Sequence, residues 1–266
     1  MEFSLRKIGK AHMKLHESEL DSPVQLIFTP SGFNPELWQN QVRYFSRKYR
    51  TATFNPMESE RNRDGELDCL ENLLDSEEYS NAVVISQNLG NSLLRDIEPH
   101  ESVIGTVGTG MFRDGFSRPP RAIYRAIWRS VFGSPKLASR MFFSDLTDYR
   151  VVKEFVETAN TMDYSGFRSY ADSYRLKEPA GESMFIHAEE DRFSDVEHVR
   201  GFENSSISVL ENTGTFSFWE KPQEFNKALD DYLRVLEDFV EAKELVKVKK
   251  NNMSLRDFEK EESFQE

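Results

Sequence analysis

Residues 82–90 read Ala-Val-Val-Ile-Ser-Gln-Asn-Leu-Gly, and this stretch decides the fold. Its apolar first half predicts a strand that is buried on both faces, as strands inside parallel sheets are. The polar residues that follow predict a tight turn from this strand into a helix. Asn88 stands at the turn, where asparagine tolerates a left-handed backbone better than most residues.

Similar buried runs recur along the chain and alternate with amphipathic helical patterns. Further strands are predicted at 24–30, 51–54, 103–107, 183–187 and 206–210, and two antiparallel strands at 2–8 and 12–18. Helices are predicted at 35–48, 66–74 and 222–246. This alternation predicts an α/β fold in which helices flank both faces of a mostly parallel central sheet.

The alternation stops between about residues 110 and 181. This block is rich in aromatic residues, and its patterns predict helices at 118–132, 149–161 and 166–174. We expect a helical insertion over the carboxyl edge of the sheet, where open α/β sheets bind ligands. The predicted domains are therefore a core at 1–110 and 181–246, a helical cap at 111–180 and a frayed polar tail at 247–266.

Composition excludes several classes of function. The 266 residues carry 46 acidic and 34 basic side chains, a net charge of −12, which disfavours nucleic-acid binding. No apolar run reaches the roughly 20 residues of a membrane span, and the N-terminus lacks a signal peptide's apolar stretch. Cys69 is the single cysteine and cannot form an internal disulfide. We expect an acidic cytoplasmic protein without metal or cofactor, since no residues show metal-ligand spacing.

Four segments, in order, resemble landmarks of the α/β-hydrolase superfamily. Residues 28–38, Phe-Thr-Pro-Ser-Gly-Phe-Asn-Pro-Glu-Leu-Trp, are similar to its loop after the third strand, and Ile-Ser-Gln-Asn-Leu-Gly at 85–90 resembles the nucleophile elbow G-x-S-x-G. Residues 185–193 resemble its acid-bearing loop and 211–222 its base-bearing loop. The resemblance implies the α/β-hydrolase fold, with a helical cap inserted after the sixth strand.

The resemblance assigns Asn88 to the nucleophile position, Asp191 to the acid and Thr215 to the base. Serine-type hydrolysis needs a hydroxyl nucleophile and an imidazole that takes its proton. The amide of Asn88 forms no acyl-enzyme of the usual kind, and the hydroxyl of Thr215 cannot accept a proton near neutral pH. We therefore expect a degenerate catalytic triad and a pseudoenzyme with respect to this chemistry.

The same resemblance places an oxyanion-equivalent pocket at Ser31, Gly32, Phe33 and Leu89, with the backbone N–H groups of Phe33 and Leu89 as the donors. In the insertion, aromatic residues pack the cap onto the sheet or line a pocket beneath it. The pocket candidates are Trp128, Phe142 and Phe143.

Two residues near the acid position have alternative interpretations. Asp191 can instead cap the segment that follows it or pair with Arg192. His187 is expected to be a buried, hydrogen-bonded strand residue, the alternative being a substitute base.

Three functions remain open. The first is binding of a small apolar or amphipathic ligand, or another interaction, without catalysis. The second is a hydrolase or lyase that acts on a small ester-like or apolar substrate through a non-standard site in the same pocket. The third is a structural module with a filled pocket, because fold alone does not fix function. The sequence identifies no protein partner.

Overall fold

The computed structural model describes residues 1–57, 62–110, 130–131, 133–159, 164–174, 181–194, 196–200 and 202–262. The strands are β1 (Ser4–Ile8), β2 (Ala11–Glu17), β3 (Gln25–Phe28), β4 (Arg50–Pro56), β5 (Ala82–Gln87), β6 (Val103–Thr109), β7 (Ser183–Ala188) and β8 (Ser205–Leu210). The described helices are α1 (Gln39–Phe45), α2 (Arg63–Leu74), α3 (Asn91–Ile97), α4 (Pro135–Phe142), α5 (Tyr149–Ala159), α6 (Tyr164–Ser173), α7 (Val196–Val199), α8 (Ser217–Glu220) and α9 (Pro222–Glu262).

The strands form one sheet in the order β1-β2-β4-β3-β5-β6-β7-β8. β2 runs antiparallel to both β1 and β4, whereas every pairing from β4 through β8 is parallel. The predicted mostly parallel sheet, preceded by two antiparallel strands, is thus confirmed. The carboxyl ends of the parallel strands meet at one edge, and the candidate site lies there.

Helices cover both faces of the sheet, and the side chains of β5 alternate between two apolar cores. Val83 and Ile85 belong to the core that contains apolar residues of α1 and α9. Val84 belongs to the core that contains apolar residues of α2 and α3. The near-continuous apolar run in this strand follows from that burial on both faces.

The loop after β3 is fixed at both ends by side chains. The Asn34 carboxamide oxygen accepts the Glu36 N–H at 3.1 Å and starts the 3-10 turn Pro35–Trp38, which leads into α1. The fully buried Trp38 indole donates to the Thr29 carbonyl at 2.8 Å. These contacts anchor the segment that is expected to face a ligand.

Two helices differ from the sequence-based boundaries. α2 begins at Arg63, before the predicted start at Glu66, because the Asn62 side chain accepts the Gly65 N–H at 3.1 Å and caps the helix there. α9 extends past its predicted end at residue 246 and continues to Glu262, within the segment at 247–266 that is predicted to be a frayed polar tail. That segment contains neither glycine nor proline, the residues that usually end a helix.

The helices α4, α5 and α6 follow β6 and precede β7, so a helical cap is inserted after the sixth strand as predicted. The helix predicted at 118–132 lies outside the described residues except for 130–131. Within the described chain, no helix combines the length and the apolar character needed to cross a membrane.

The cap contacts the loop after β8 at Gly214. A Cβ added there would stand 2.3 Å from the Phe142 carbonyl oxygen and 2.6 Å from the Phe143 Cα. Both neighbours are backbone atoms, so no side chain can turn away to make room. A glycine at this position therefore lets the end of α4 pack closely against the loop.

We predict that Gly214→Ala destabilises the protein by about 1–3 kcal/mol, since the added methyl group forces backbone shifts. Gly181→Ala is the matched control, because its Cβ would meet only the Glu98 Cγ at 3.9 Å, an ordinary contact. The control should stay within about 1 kcal/mol of the parent. Urea unfolding measures both; equal stability of the two variants would contradict the close contact.

Candidate functional site

Asn88 lies at the tip of β5, where the strand turns into a 3-10 turn at Asn88–Gly90 and then into α3. Its backbone is left-handed, with φ of 51°, and its side chain is buried. A Cβ on Gly90 would overlap the Ser31 and Ser86 hydroxyl oxygens, at 2.1 and 2.8 Å. The turn therefore depends on an asparagine at position 88, which tolerates the left-handed backbone, and on a glycine at position 90, which leaves space for the Ser31 and Ser86 side chains.

Hydroxyl groups join this turn to the loop after β3. The Thr29 hydroxyl donates to the Ser86 hydroxyl at 2.9 Å, and the Ser31 and Ser86 hydroxyls share a hydrogen bond at 3.1 Å. The Gln87 N–H donates to the Ser31 hydroxyl at 3.3 Å. All four residues are buried, so the small polar side chains that depart from the hydrolase motifs satisfy one another here.

The acid and base positions contact each other directly. The Thr215 hydroxyl donates to Asp191 Oδ1 at 2.8 Å, and the Phe193 N–H donates to the same oxygen at 3.0 Å. Burial raises the pKa of the Asp191 carboxyl, while these hydrogen bonds act to lower it. Among the described residues, Asp191 Oδ2 has no hydrogen-bond partner.

The alternative pairing of Asp191 with Arg192 is not formed. The Arg192 guanidinium donates instead to the Arg140 carbonyl and lies 3.8 Å from Asp145. Asp191 does bond the start of the segment that follows it, through the N–H of Phe193.

Asn88 and Thr215 meet at Gly110, at the end of β6. A Cβ on Gly110 would stand 2.7 Å from Asn88 Oδ1 and 2.9 Å from the Thr215 carbonyl oxygen. The Asn88 amide nitrogen donates to Gln87 Oε1 at 3.3 Å, whereas its Oδ1 has no hydrogen-bond partner in the described part of the chain. The structure thus brings Asn88, Thr215 and Asp191 together at the carboxyl edge of the sheet.

The backbone N–H groups of the loop after β3 form hydrogen bonds within the protein. The Ser31 and Gly32 N–H groups donate to the two oxygens of Glu66, at 2.9 and 2.7 Å. The Phe33 N–H donates to the Pro30 carbonyl at 2.9 Å, so it is engaged in a turn in this structure, and its role as an oxyanion donor stays a prediction. A hydrogen bond between two main-chain groups cannot be predicted from a motif of side chains. The role of the Leu89 N–H, in a first helical turn without an intrahelical acceptor, stays a prediction.

Glu66 is a buried carboxylate that the sequence analysis missed. It is 2% exposed, and burial raises its pKa from 4.5 to about 7, against the lowering effect of the Gly32 and Ser31 N–H groups and of the nearby Tyr170 hydroxyl. One sequence signal could have revealed it. Glu66 shares a helix face with Cys69, Leu70 and Leu73, so the apolar face of α2 begins with a carboxylate.

His187 is a buried residue of β7, and its Nδ1 lies 2.8 Å from the Ser194 hydroxyl, within hydrogen-bond distance. Its charge, when present, acts to lower the pKa of Asp191. Two other histidines, His12 and His16, lie on β2 at the far side of the sheet, and His100 pairs with Asp75.

Aromatic side chains from the cap pack beside the base position. The ring of Phe216, next to Thr215, lies 5.5 Å from that of Phe142 and 6.1 Å from that of Phe143, between ring centroids. Phe33 makes an edge contact with Phe216 at 5.9 Å. Phe142 and Phe143 thus belong to the apolar core, and Trp128 lies outside the described residues.

A metal centre has no support in the described part of the chain. No three His, Cys, Asp or Glu side chains among those residues lie close enough together to hold an ion.

Comparison of the sequence with known protein families and with curated proteins finds no match. Solved structures do match. A serine hydrolase from Cycloclasticus zankles aligns at a TM-score of 0.66 with 16% identity, over 87% of this chain and 97% of its own. A thermophilic esterase from Thermogutta terrifontis aligns at a TM-score of 0.68 with 11% identity, over 89% of this chain and 98% of its own. An enol-lactonase from Burkholderia xenovorans aligns at a TM-score of 0.67 with 13% identity, over 87% of this chain and 100% of its own. With its strand order, elbow and inserted cap, the chain therefore adopts the fold of the α/β-hydrolase superfamily.

Proposed function

We propose that this protein is hydrolase-like in fold but does not carry out serine-type hydrolysis, and that it binds a small apolar or amphipathic ligand at Asn88. The observation that carries the proposal is the hydrogen bond from the Thr215 hydroxyl to Asp191. In a serine hydrolase the acid orients an imidazole. Here a hydroxyl that cannot act as a base binds the acid.

The nucleophile position supports the same conclusion. A carboxamide nitrogen is delocalised into its carbonyl group, and Asn88 offers no hydroxyl or thiol. Even a hydroxyl at this position would lack a proton acceptor, since Thr215 is itself a donor. Nucleophile and base act as a unit, so the absence of either one is enough to remove the reaction, and neither position here carries the required group.

Transition-state stabilisation is weakened as well. Oxyanion holes need N–H groups that are free to bind the developing charge, and each lost donor costs about 10²–10³-fold in kcat. The Phe33 N–H is already bound to the Pro30 carbonyl. A carbonyl ligand could be held at the elbow, yet its activation would require this turn to open.

The surroundings of Asn88 favour a ligand with one polar group. The Asn88 Oδ1 has no hydrogen-bond partner among the described residues and can accept from a ligand, while the rings of Phe33 and Phe142 pack on Phe216, next to Thr215 in the chain. Pockets of mainly apolar lining with a few polar groups are typical small-molecule sites. The compared structures include proteins named as an esterase and an enol-lactonase, so we extend the proposal to small ester-like ligands.

A second candidate is a hydrolase or lyase that uses a non-standard site in the same pocket. Asp191 favours it, because a buried carboxyl with a raised pKa and one unpartnered oxygen is a plausible acid–base group. Asp191→Asn separates the two candidates, since it removes the titrating group and leaves the shape of the side chain.

The remaining assignments are also proposals. We propose a core at 1–110 and 181–246 and a cap at 111–180, since the described helices between β6 and β7 fit that division. A cytoplasmic location is proposed from the net charge of −12 and the single cysteine.

We predict that the protein neither reacts with a fluorophosphonate nor hydrolyses a panel of short-chain esters and thioesters. The same esters should shift the side-chain amide resonance of Asn88 in an NMR titration, and Asn88→Ala should weaken their binding. Turnover lost in Asp191→Asn but kept in Asn88→Ala would replace this proposal with the second candidate. A panel that gives neither turnover nor shifts would point to a structural module with a filled pocket.

We predict that Asn88→Ser alone leaves ester hydrolysis at background, because serine without a base is a poor nucleophile. Asn88→Ser combined with Thr215→His should raise it at least about tenfold, since Asp191 then faces an imidazole. Thr215→His alone is the control. Equal activity of the single and double variants, measured by ester turnover, would show that Asp191 is not placed as an orienting acid.

A further inference from the structure

Glu66 joins the loop after β3 to the cap. Its two oxygens accept the N–H groups of Ser31 and Gly32, and it faces the Tyr170 hydroxyl on α6. α6 also contacts α2 through the Ser169 hydroxyl oxygen, which accepts the Arg63 N–H at 3.0 Å. One buried carboxylate thus lies between the segment that approaches the elbow and a helix of the cap.

The loop has the geometry of an anion-binding turn. Ser31 and Gly32 both have positive φ, at 56° and 78°, so their N–H groups point to the same side. Consecutive N–H groups of this kind form a concavity that binds anions. The anion here is the protein's own carboxylate, and both of its oxygens are engaged.

The charged groups around Glu66 are few and paired among themselves. On its own helix, Arg63 pairs with Asp64 at 3.3 Å and with Asp96 of α3. Among the described cap residues, the titratable group acting on Glu66 is Tyr170, and the loop contributes main-chain N–H groups. Within the described chain, the charge of Glu66 is therefore balanced by hydrogen bonds and by no direct ion pair.

We propose that Glu66 is a proton-operated latch, which holds the Ser31–Gly32 loop against α2 and the cap when ionised and frees loop N–H groups when protonated. A carboxylate accepts through both oxygens, whereas protonation turns one of them into a donor. The loop N–H that faces the protonated oxygen then has only a weak acceptor, and its hold on Glu66 is loosened. The new O–H can donate to the Tyr170 oxygen, which otherwise has no hydrogen-bond partner within the described residues.

The latch works in the physiological range because of burial. Desolvation disfavours the charged form and raises the pKa of Glu66 to about 7, while the hydrogen bonds only partly offset it. A modest change in pH around neutrality therefore changes the fraction of molecules in which the loop is held.

The consequence for ligand binding rests on the function proposed above. A ligand carbonyl or carboxylate oxygen can accept the loop N–H groups only when Glu66 does not hold both of them. Binding of such ligands should therefore strengthen as pH falls through about 7. The latch itself is tested without any ligand, so the two proposals can fail separately.

We predict that the backbone amide resonances of Ser31 and Gly32 and the carboxyl carbon of Glu66 titrate with one shared midpoint near pH 7. In Glu66→Gln the chemical shifts of the two amides should not change with pH across the neutral range. Tyr170→Phe should raise the midpoint, because the nearby Tyr170 hydroxyl acts to lower the pKa of Glu66. Heteronuclear NMR of the full chain between about pH 5 and 9 measures all three.

Glu71→Gln is the matched control, since Glu71 is an exposed carboxylate on the same helix and should leave the midpoint unchanged. A Glu66 midpoint at its ordinary 4.5 would overturn the latch. So would a neutral midpoint at Glu66 that leaves the Ser31 and Gly32 amides unmoved.

We also predict an effect on stability with a definite sign. Because the pKa of Glu66 is higher in the folded than in the unfolded chain, the folded state binds its proton more tightly, and stability falls as pH rises from about 4.5 to 7. The difference in Tm between the parent and Glu66→Gln should therefore shrink, or turn against the parent, across that window and stay constant above it. A difference that grows in favour of the parent would contradict a buried, desolvated Glu66.

Discussion

The structure of the site depends on one constraint, the left-handed backbone of Asn88 at the end of β5. This turn ends the strand within a single residue and starts the next helix at once, so the tip of β5 stands where the loops after β3, β6 and β8 converge. At Gly90 and Gly110, next to this turn, the neighbouring atoms leave no room for a side chain. The constraint concerns backbone shape and packing, and it is met whether or not the residue at the tip is reactive.

Several polar groups around the turn are hydrogen-bonded to one another. Ser31 and Ser86 share a hydrogen bond, and the Thr215 hydroxyl binds Asp191. A buried carboxylate left without donors would cost several kcal/mol, so Asp191 needs a donor from a neighbouring residue. Thr215 is small enough to be that donor and still fit beside Gly110.

The sheet and the elbow could be predicted because their signals are local. Apolar runs such as Val83–Ile85 predict buried strands, and the residues of 85–90 predict the turn. The start of α2 was missed because Asn62, a helix cap, precedes the apolar pattern. The engagement of the Phe33 N–H could not be predicted, since a main-chain turn bond leaves no mark on side-chain identity. Glu66 was passed over because its partners, Ser31 and Gly32, are distant in sequence and contribute only backbone groups.

Buried carboxylates recur at this edge of the sheet, and they share one role. Glu66 holds the loop after β3, Asp191 holds Phe193 and Thr215, and Glu220 accepts the N–H groups of Ser144 and Gly214, at 2.8 and 2.6 Å. Burial raises the pKa of all three carboxyls, which means that desolvation outweighs the hydrogen bonds that each receives. They are therefore poor sources of stability at neutral pH. What they provide is position: backbone N–H groups from separate loops converge on each carboxylate, and that convergence fixes the loops around Asn88 more specifically than apolar packing would. In a fold whose loops carry function, such a use of charge holds the shape of a site.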